Sequence, residues 1–452
     1  MKKKFTLLLS ALFLFCSFIK AQSWSELGGL NGFAPNGFID HVCSDASGNI
    51  YAVGPFANSS GNGYVAIYNG SAWSELGGLN GLSANYFIWT VYSDASGNIY
   101  TAGDFRNSSN NRYVAKYNGS AWSELGGLNG LAANDDIWSV CSDASGNIYA
   151  AGYFTNDSGY NYVAKYDGSA WSELGGLNGL AANGDISSIC SDASGNIYAA
   201  NAFTNSSGKY YVAKYNGSSW SELGGLNGLA ANSPIVSVCS DASGNIYAAG
   251  AFTNSSGNFY VAKYNGSAWS ELGGLNGLSA NTNILSVCSD ASGNIYTAGW
   301  FTNSSGNRYV AKYNGSSWSE LGGLNGLAAN DAVWSVCSDA SGNIYATGHF
   351  TNSSGNRYVA KYGSATGINE TSTAGMDISV YPNPGIGEIN VQSSNFKVDR
   401  IEIDNVMGEK IYEQTINSNH QTLNIKLNAG IYFVKLFDGE KSYCKKIIVE
   451  PE

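Results

Sequence analysis

One 49-residue unit is written seven times, and this constrains the fold more than any other feature of the chain. Trp24, Trp73, Trp122, Trp171, Trp220, Trp269 and Trp318 stand 49 residues apart, and each opens the string W-S-E-L-G-G-L-N-G. A second string, S-D-A-S-G-N-I-Y, begins at Ser44, Ser93, Ser142, Ser191, Ser240, Ser289 and Ser338. A third, Tyr-Val-Ala-Lys-Tyr, begins at Tyr113 and recurs in every later unit; Ile67 replaces its lysine in the first. One such unit cannot bury its own apolar face, so neighbours must stack. Short strands at a period of roughly 40–50 residues imply propeller blades.

Each unit resolves into four strands. In the third, Ile137–Cys141 is a short apolar run bounded by turn residues, and Asp-Ala-Ser-Gly-Asn turns the chain after it. Ile148–Phe154 is the second strand and Asn156-Asp157-Ser158-Gly159 a loop. Tyr162–Tyr166 and Trp171–Leu174 follow, joined by Asp167-Gly168. Asn-Gly and Asp-Gly turns join antiparallel neighbours, and no helical period appears. The chain opens with a fourth-type strand at Trp24–Leu27 that lacks its three partners. It ends the repeats with three strands, Val333–Tyr362, that lack a fourth. The first strand is therefore expected to complete the last blade, which removes the free edges that invite aggregation. The expected fold is all-β: a seven-bladed β-propeller closed by the N-terminal strand, then a small C-terminal Ig-like β-sandwich.

Two resemblances bear on the blades. Tyr166 and Trp171, after the glycine at Gly152, resemble kelch-type units, although a Gly pair is replaced here by Ala151-Gly152. The Asp-x-x-Gly-Asn-Ile-Tyr turn is similar to NHL-type propellers. Both imply the fold and neither implies a substrate.

Four regions are expected. Residues 1–21 read as a secretory signal: Lys2–Lys4, an apolar run Phe5–Phe18, and Ala21 at the cleavage point. That run is too short for a typical membrane span, and no other segment is expected to cross a membrane. Phe15 stands where a lipoprotein signal before Cys16 wants a small residue. The propeller occupies 22–363, a small polar linker 364–375, and a second domain 376–452. That domain carries short alternating strands and four recognisable pieces: Y-P-N-P at Tyr381, N-V-M-G-E-K at Asn405, G-I-Y-F-V-K-L at Gly430, and K-K-I-I-V near the end. In this order they resemble the C-terminal sorting domain of type IX secretion substrates. The resemblance implies the type IX translocon and sorting machinery as partners. It also implies passage through the periplasm, removal of the domain after export, and a secreted or outer-membrane surface-attached product from a Bacteroidetes-type source.

Loss of Lys2, Lys3, Lys4 and Lys20 with the signal takes the formal charge from −11 to −15, and such an acidic surface repels phosphate backbones. Nucleic acid is not an expected partner. Cys43, Cys141, Cys190, Cys239, Cys288 and Cys337 share one repeat position, which Tyr92 takes in the second unit. Equivalent positions in neighbouring blades are expected to lie beyond the roughly 7 Å Cα reach of a disulfide, so they read as buried thiols. No His recurs beside them, so neither a metal site nor a cofactor is expected. The repeated Asp45, Asp94, Asp143, Asp192, Asp241, Asp290 and Asp339 each meet Ser, Gly and Asn rather than further carboxylates, which suits a turn better than calcium. His41, His349 and His420 share no spacing, and no catalytic triad is evident. The Glu26-type residue is expected in solvent.

Because the copies are nearly identical, their differences are the signal. Both turn types on one face hardly vary. Variation gathers on the opposite face, at three places. Before the first strand stand pairs such as Tyr86-Phe87, Asp135-Asp136 and Gly184-Asp185. Early in it stand Asp40, Trp89, Trp138, Ser187, Val236, Leu285 and Trp334. Late in the second strand stand Pro55, Asp104, Tyr153, Ala202, Ala251, Trp300 and His349, and the loops add Arg106, Lys209 and Arg308. Tyr86, Phe87, Trp89, Asp104, Asp136, Trp138, Tyr153, Trp300, Trp334 and His349 are the candidate ligand-binding residues. Aromatic platforms beside carboxylates suit sugars or peptide side chains; the alternative is drift at loop positions that packing leaves free.

The expected function is a non-enzymatic, monomeric binding module for carbohydrate or protein, acting in adhesion or nutrient capture. A polysaccharide-acting enzyme would need a convergent acid–base pair, and Asp104, Asp136 and Asp185 look unpaired by spacing. A structural surface protein without a specific ligand is the third alternative. A chain truncated after Gly375 is expected to accumulate in the periplasm, as cell fractionation would show; full export of that chain would refute the sorting assignment.

Overall fold

The computed structural model describes residues 22–364 without a break and, beyond them, 378–381, 388–393, 398–405, 410–418, 420–424, 427–428, 430–438 and 441–449. The signal 1–21 and the linker beyond 364 lie outside the described residues. The chain divides into two compact units, Met1–Ser364 and Ala365–Glu452.

The first unit is a ring of seven four-stranded antiparallel sheets. Blades one to six hold residues 41–75, 88–124, 137–173, 186–222, 237–271 and 284–320; the seventh holds 333–364 and Gln22–Glu26. Each innermost strand packs on the next, and that of the seventh blade, Val333–Ser338, packs on His41–Ser44 of the first. Closure is as expected: Gln22–Glu26 pairs antiparallel with Ala360–Ser364, with Trp24 opposite Tyr362.

The strands are shorter at the variable rim than the residue pattern implies. In the third blade they are Ile137–Ser142, Ile148–Gly152, Ala164–Tyr166 and Trp171–Glu173. The third strand starts late because Asn161 is drawn away: its N–H bonds the Ala182 carbonyl, in the connection to the next blade, at 3.1 Å. At the core, the wholly buried Phe154 meets Tyr162 edge-on at 4.9 Å, and five other blades repeat the pair with near-perpendicular rings.

Blades are stitched together at two radii. On the outside, every repeat tryptophan donates its indole N–H to the leucine carbonyl of the preceding blade. All seven bonds form, from Trp24 to Leu321 through Trp318 to Leu272, at 2.8–3.0 Å. The adjoining glycine makes room: at Gly175 (φ +88°) a Cβ would stand 3.0 Å from the Trp220 ring. Inside, Ser139 Oγ accepts the Ile189 N–H at 3.2 Å, and the bond recurs at other interfaces.

The constant face is built from saturated turns. Asp143 Oδ1 accepts the N–H of Ser145 and Asn147; Oδ2 accepts Asn147 Nδ2 and the Tyr149 hydroxyl, at 2.7–3.0 Å. Burial alone would raise this carboxyl, but those four donors hold it below its usual value. A carboxylate has about four lone-pair sites, so these aspartates are turn formers. Among the described residues no group of three or more metal-ligating side chains occurs. The glutamate expected in solvent is instead half-buried: Glu124 Oε1 accepts the Asn129 N–H at 2.8 Å and Asn107 Nδ2 at 3.1 Å, buckling the loop between the second and third strands. The thiols also depart from expectation. Cys141 is buried, whereas Cys43, Cys190, Cys239, Cys288 and Cys337 are half-buried; all six are free and wedged against the next blade's core. Burial pushes the Cys190 and Cys288 thiols up to about 12.

In the second unit, a three-stranded sheet (Ile378–Tyr381, Glu388–Ser393, His420–Asn424) accompanies a four-stranded one (Lys410–Ser418, Val398–Asn405, Gly430–Asp438, Lys441–Val449). Val391 of the first joins Ile401, Ile403, Val434, Leu436 and Ile447 of the second in one core, a β-sandwich. Among the described residues no helix is long and apolar enough to cross a membrane.

Deleting Ser23–Gly29 is expected to lower the thermal midpoint sharply, since it leaves the seventh blade a three-stranded open edge. Trp24→Phe, which removes the indole bond and part of the ring that packs on Tyr362, should destabilise by at least about 1 kcal/mol. Thermal unfolding followed by circular dichroism checks both, and an unchanged midpoint for the deletion would sink closure.

Candidate functional site

The variable positions converge because of a backbone irregularity. In the second, third and seventh blades the register slips between Ile88 and Thr90, Ile137 and Ser139, and Val333 and Ser335. The skipped residues are Trp89, Trp138 and Trp334. A bulge frees its residue from the ladder and re-aims its side chain, so these positions tolerate any residue type. The residue opposite has little room: a Cβ on Gly152 would lie 2.0 Å from the Asp136 carbonyl oxygen, and the fourth blade, which carries the same slip, fits Asn201 there only at φ +156°. That carbonyl accepts the Tyr153 N–H at 2.9 Å, which brings residues 136, 138 and 153 to one place. The loop from the neighbouring blade arrives through the Arg112 N–H bond to Ala133 at 3.0 Å.

Between the second and third blades these positions form a charged, aromatic cluster. Trp89 stacks on Trp138 with centroids 5.0 Å apart and planes 3° from parallel; Trp138 stacks on Tyr153 at 5.4 Å; Phe87 abuts Trp89 edge-on. Arg112 binds Asp104 at 2.8 Å, Asp136 at 3.2 Å and Asp135 at 3.4 Å, and donates to the Asn134 carbonyl at 2.8 Å. Arg106 binds Asp104 at 3.1 Å and covers the Tyr86 ring at 5.0 Å. The expectation that nothing pairs these carboxylates is corrected for two of them: Arg112 gathers Asp104 and Asp136 together with Asp135, and Asp185 stands outside the network. Burial, then the neighbouring Asp104, raise the Asp136 carboxyl. Burial opposes ionisation of Asp104 too, but bonds from Arg106 and Arg112 outweigh it and hold that carboxyl low. Asp185, half-buried nearby, is raised by burial and by Asp135.

The second cluster spans the sixth, seventh and first blades. His349 lies between Phe38 (3.7 Å, 22°) and Trp334 (5.0 Å, 25°), with Trp300 edge-on at 6.5 Å. Arg357 caps the outer face of this column, 4.2 Å from the Phe38 centroid, and Arg308 lies 5.8 Å from that of Trp300. His349 Nε2 is 3.7 Å from Asp40 Oδ1. The fourth and fifth blades offer only Ser187, Val236, Ala202 and Ala251 at the corresponding positions.

All ten sequence candidates thus fall into two clusters, Tyr86 to Tyr153 in one and Trp300, Trp334 and His349 in the other. The stacked tryptophans use their faces on each other, so Tyr86, Phe87 and Tyr153, each more than a third exposed, provide the free aromatic surface. Arg112 and Arg357 were missed, although their repeat position varies too: Gly63, Arg112, Asn161, Tyr210, Phe259, Arg308, Arg357. Both clusters share a further trait. Among the described residues, the buried side-chain N–H groups without a partner are Arg106 Nε, Trp138 Nε1, Arg308 Nε, Trp334 Nε1 and Arg357 Nε. Every one lies in these two clusters.

Residues 379–450 match the secretion system C-terminal sorting domain family, which marks the chain for type IX export to the cell surface or beyond. No curated protein matches the chain. Among solved structures, PorZ, an essential surface component of the type IX secretion system of Porphyromonas gingivalis, is similar at 14% identity and a TM-score of 0.47. The match covers 92% of this chain and 60% of PorZ. Aleuria aurantia lectin in complex with Fucα1-6GlcNAc shares 17% identity over 62% of this chain and 93% of its own, at 0.39. An ulvan lyase from a new polysaccharide lyase family shares 13% over 79% and 91%, at 0.35.

Arg112→Met is expected to destabilise the propeller by about 1–3 kcal/mol at neutral pH, because it strands three close carboxylates. The Asp136 carboxyl, raised in the folded state, takes up its proton at a higher pH than it does in the unfolded chain, so this penalty should shrink as pH falls from neutral towards the ordinary value of 3.8. Denaturant titration at pH 7 and pH 4 checks the sign.

Proposed function

For a chain that carries a type IX sorting domain at residues 379–450 and so delivers its propeller to the cell surface or beyond, we propose that the variable rim binds carbohydrate without cleaving it. One observation carries this reading: five buried N–H donors lack acceptors, and all five stand beside aromatic rings on this rim. An unmade hydrogen bond on a buried group is unfavourable by about 1–3 kcal/mol, so such donors want an acceptor-rich partner. Sugars present hydroxyl acceptors on one edge and C–H groups on the other. Tyr86, Phe87 and Tyr153 supply the exposed rings for the latter. Capture of glycan for adhesion or nutrition is the corresponding role.

Glycan cleavage is the second reading, favoured by the opposed shifts of Asp136 and Asp104, the pattern of an acid and a base. Arg112 neutralises both, which supports a structural network over a reacting pair.

On a combined glycan and protein array, the purified chain should retain glycans. Phe87→Ala and Tyr153→Ala should each weaken the best hit about tenfold, by loss of one anchoring ring. Hits confined to proteins would replace the ligand class, and glycan turnover abolished by Asp136→Asn would replace binding with catalysis.

A further inference from the structure

Arg112, Arg308 and Arg357 occupy one position of the repeat, yet their surroundings are opposite. Arg112 meets Asp104 from its own blade and Asp135 and Asp136 from the next. At the positions of Asp104 and Asp136, Arg308 finds Trp300 and Ala332, and Arg357 finds His349 and Phe38. Among the described residues neither Arg308 nor Arg357 makes an ion pair. Asp331, at the repeat position of Asp135, accepts the Ala332 N–H at Oδ1 (2.7 Å) as Asp135 does that of Asp136, but makes no ion pair with Arg308 among the described residues, and Asp40 stands 3.7 Å from His349. Among the described residues, the one side-chain bond of Arg308 on this rim runs from Nη1 to the Asn330 carbonyl at 3.0 Å.

Two guanidinium groups are therefore held without counter-charge, each over an aromatic ring, on either side of one cluster joined through His349. Three N–H groups there are buried and unpartnered: Arg308 Nε, Trp334 Nε1 and Arg357 Nε. A half-buried cation gains most from a fully charged acceptor, and the planar guanidinium fork matches carboxylate and sulfate oxygens. We infer that the rim between the sixth, seventh and first blades is an anion subsite, and that the glycan bound there is acidic, bearing a carboxylate or a sulfate ester. This rests on the carbohydrate reading above and adds the charge of the ligand.

The test compares a galacturonate trimer, a 6-sulfated galactose trimer and the neutral galactose trimer by calorimetry on the whole purified chain. The acidic trimers should bind about tenfold or more tightly than the neutral one, as expected for an added charge-assisted contact, and the preference should fade between 50 and 500 mM salt, as screening of about 10 Å at 0.1 M dictates. Whichever of the two acidic trimers binds more tightly identifies the group. Arg308→Gln with Arg357→Gln should erase the preference; Arg308→Lys with Arg357→Lys, which keeps charge and packing stem, should retain part of it. Lys209→Gln removes the same charge from an exposed loop of the fourth blade and should change nothing. Equal binding of acidic and neutral trimers, or a preference that survives both glutamine changes, overturns the anion subsite while leaving the carbohydrate reading intact. Absence of binding by all three, with the array also empty of glycans, overturns both.

Discussion

The ring depends on the indole N–H bond that crosses every blade boundary. Outer strands of three residues cannot hold a sheet by their own ladder, and a single blade has one buried face and no partner. Each tryptophan solves this by packing on its own blade's tyrosine while donating to the leucine carbonyl of the blade before. Because the seventh such bond runs from Trp24 to Leu321, the first strand is tied both to its adopted sheet and to the sixth blade. Stacking is thereby made cyclic, and no blade is a terminus that needs a polar cap.

A scaffold held this way frees one face. The turns between the first two strands are saturated by Asp, Asn and Tyr in all seven copies, so a change there loses several bonds together. The other face has no equivalent constraint at residues 89, 138 and 334, which sit on bulges outside the ladder. Drift and selection both act where packing is indifferent, so variation alone does not separate them. The unpartnered donors support the binding that we propose over drift, because drift has no reason to collect buried N–H groups beside aromatic rings.

The blade count, the closing strand and the sandwich were all legible, since each rests on periodicity and turn chemistry. The ten candidate residues were found by comparing copies, but their grouping was not. Trp89 and Asp136 are 47 residues apart and share a bond only because blade neighbours meet edge to edge. The role of the Glu26-type residue was misread for a more local reason: its carboxylate is claimed by one asparagine five residues later and another 17 residues earlier, as Glu124 is by Asn129 and Asn107. Arg112 went unnoticed because it stands just before the constant string that opens at Tyr113.

That arginine position shows how a duplicated fold acquires chemistry without rebuilding itself. The backbone holds two of these guanidinium stems in the same way, Arg112 on the main-chain carbonyl of Asn134 and Arg308 on that of Asn330. What differs is the pair of residues beside it, one just before the first strand and one just after the second. Carboxylates there consume the charge and produce a rigid internal network. Aromatic rings there leave the charge unspent and partly shielded from water, where an ion's attraction for a ligand is strongest. In the anion subsite that we propose, two substitutions per blade convert a structural ion pair into a recognition group, and the repeated copies offer several places to try it.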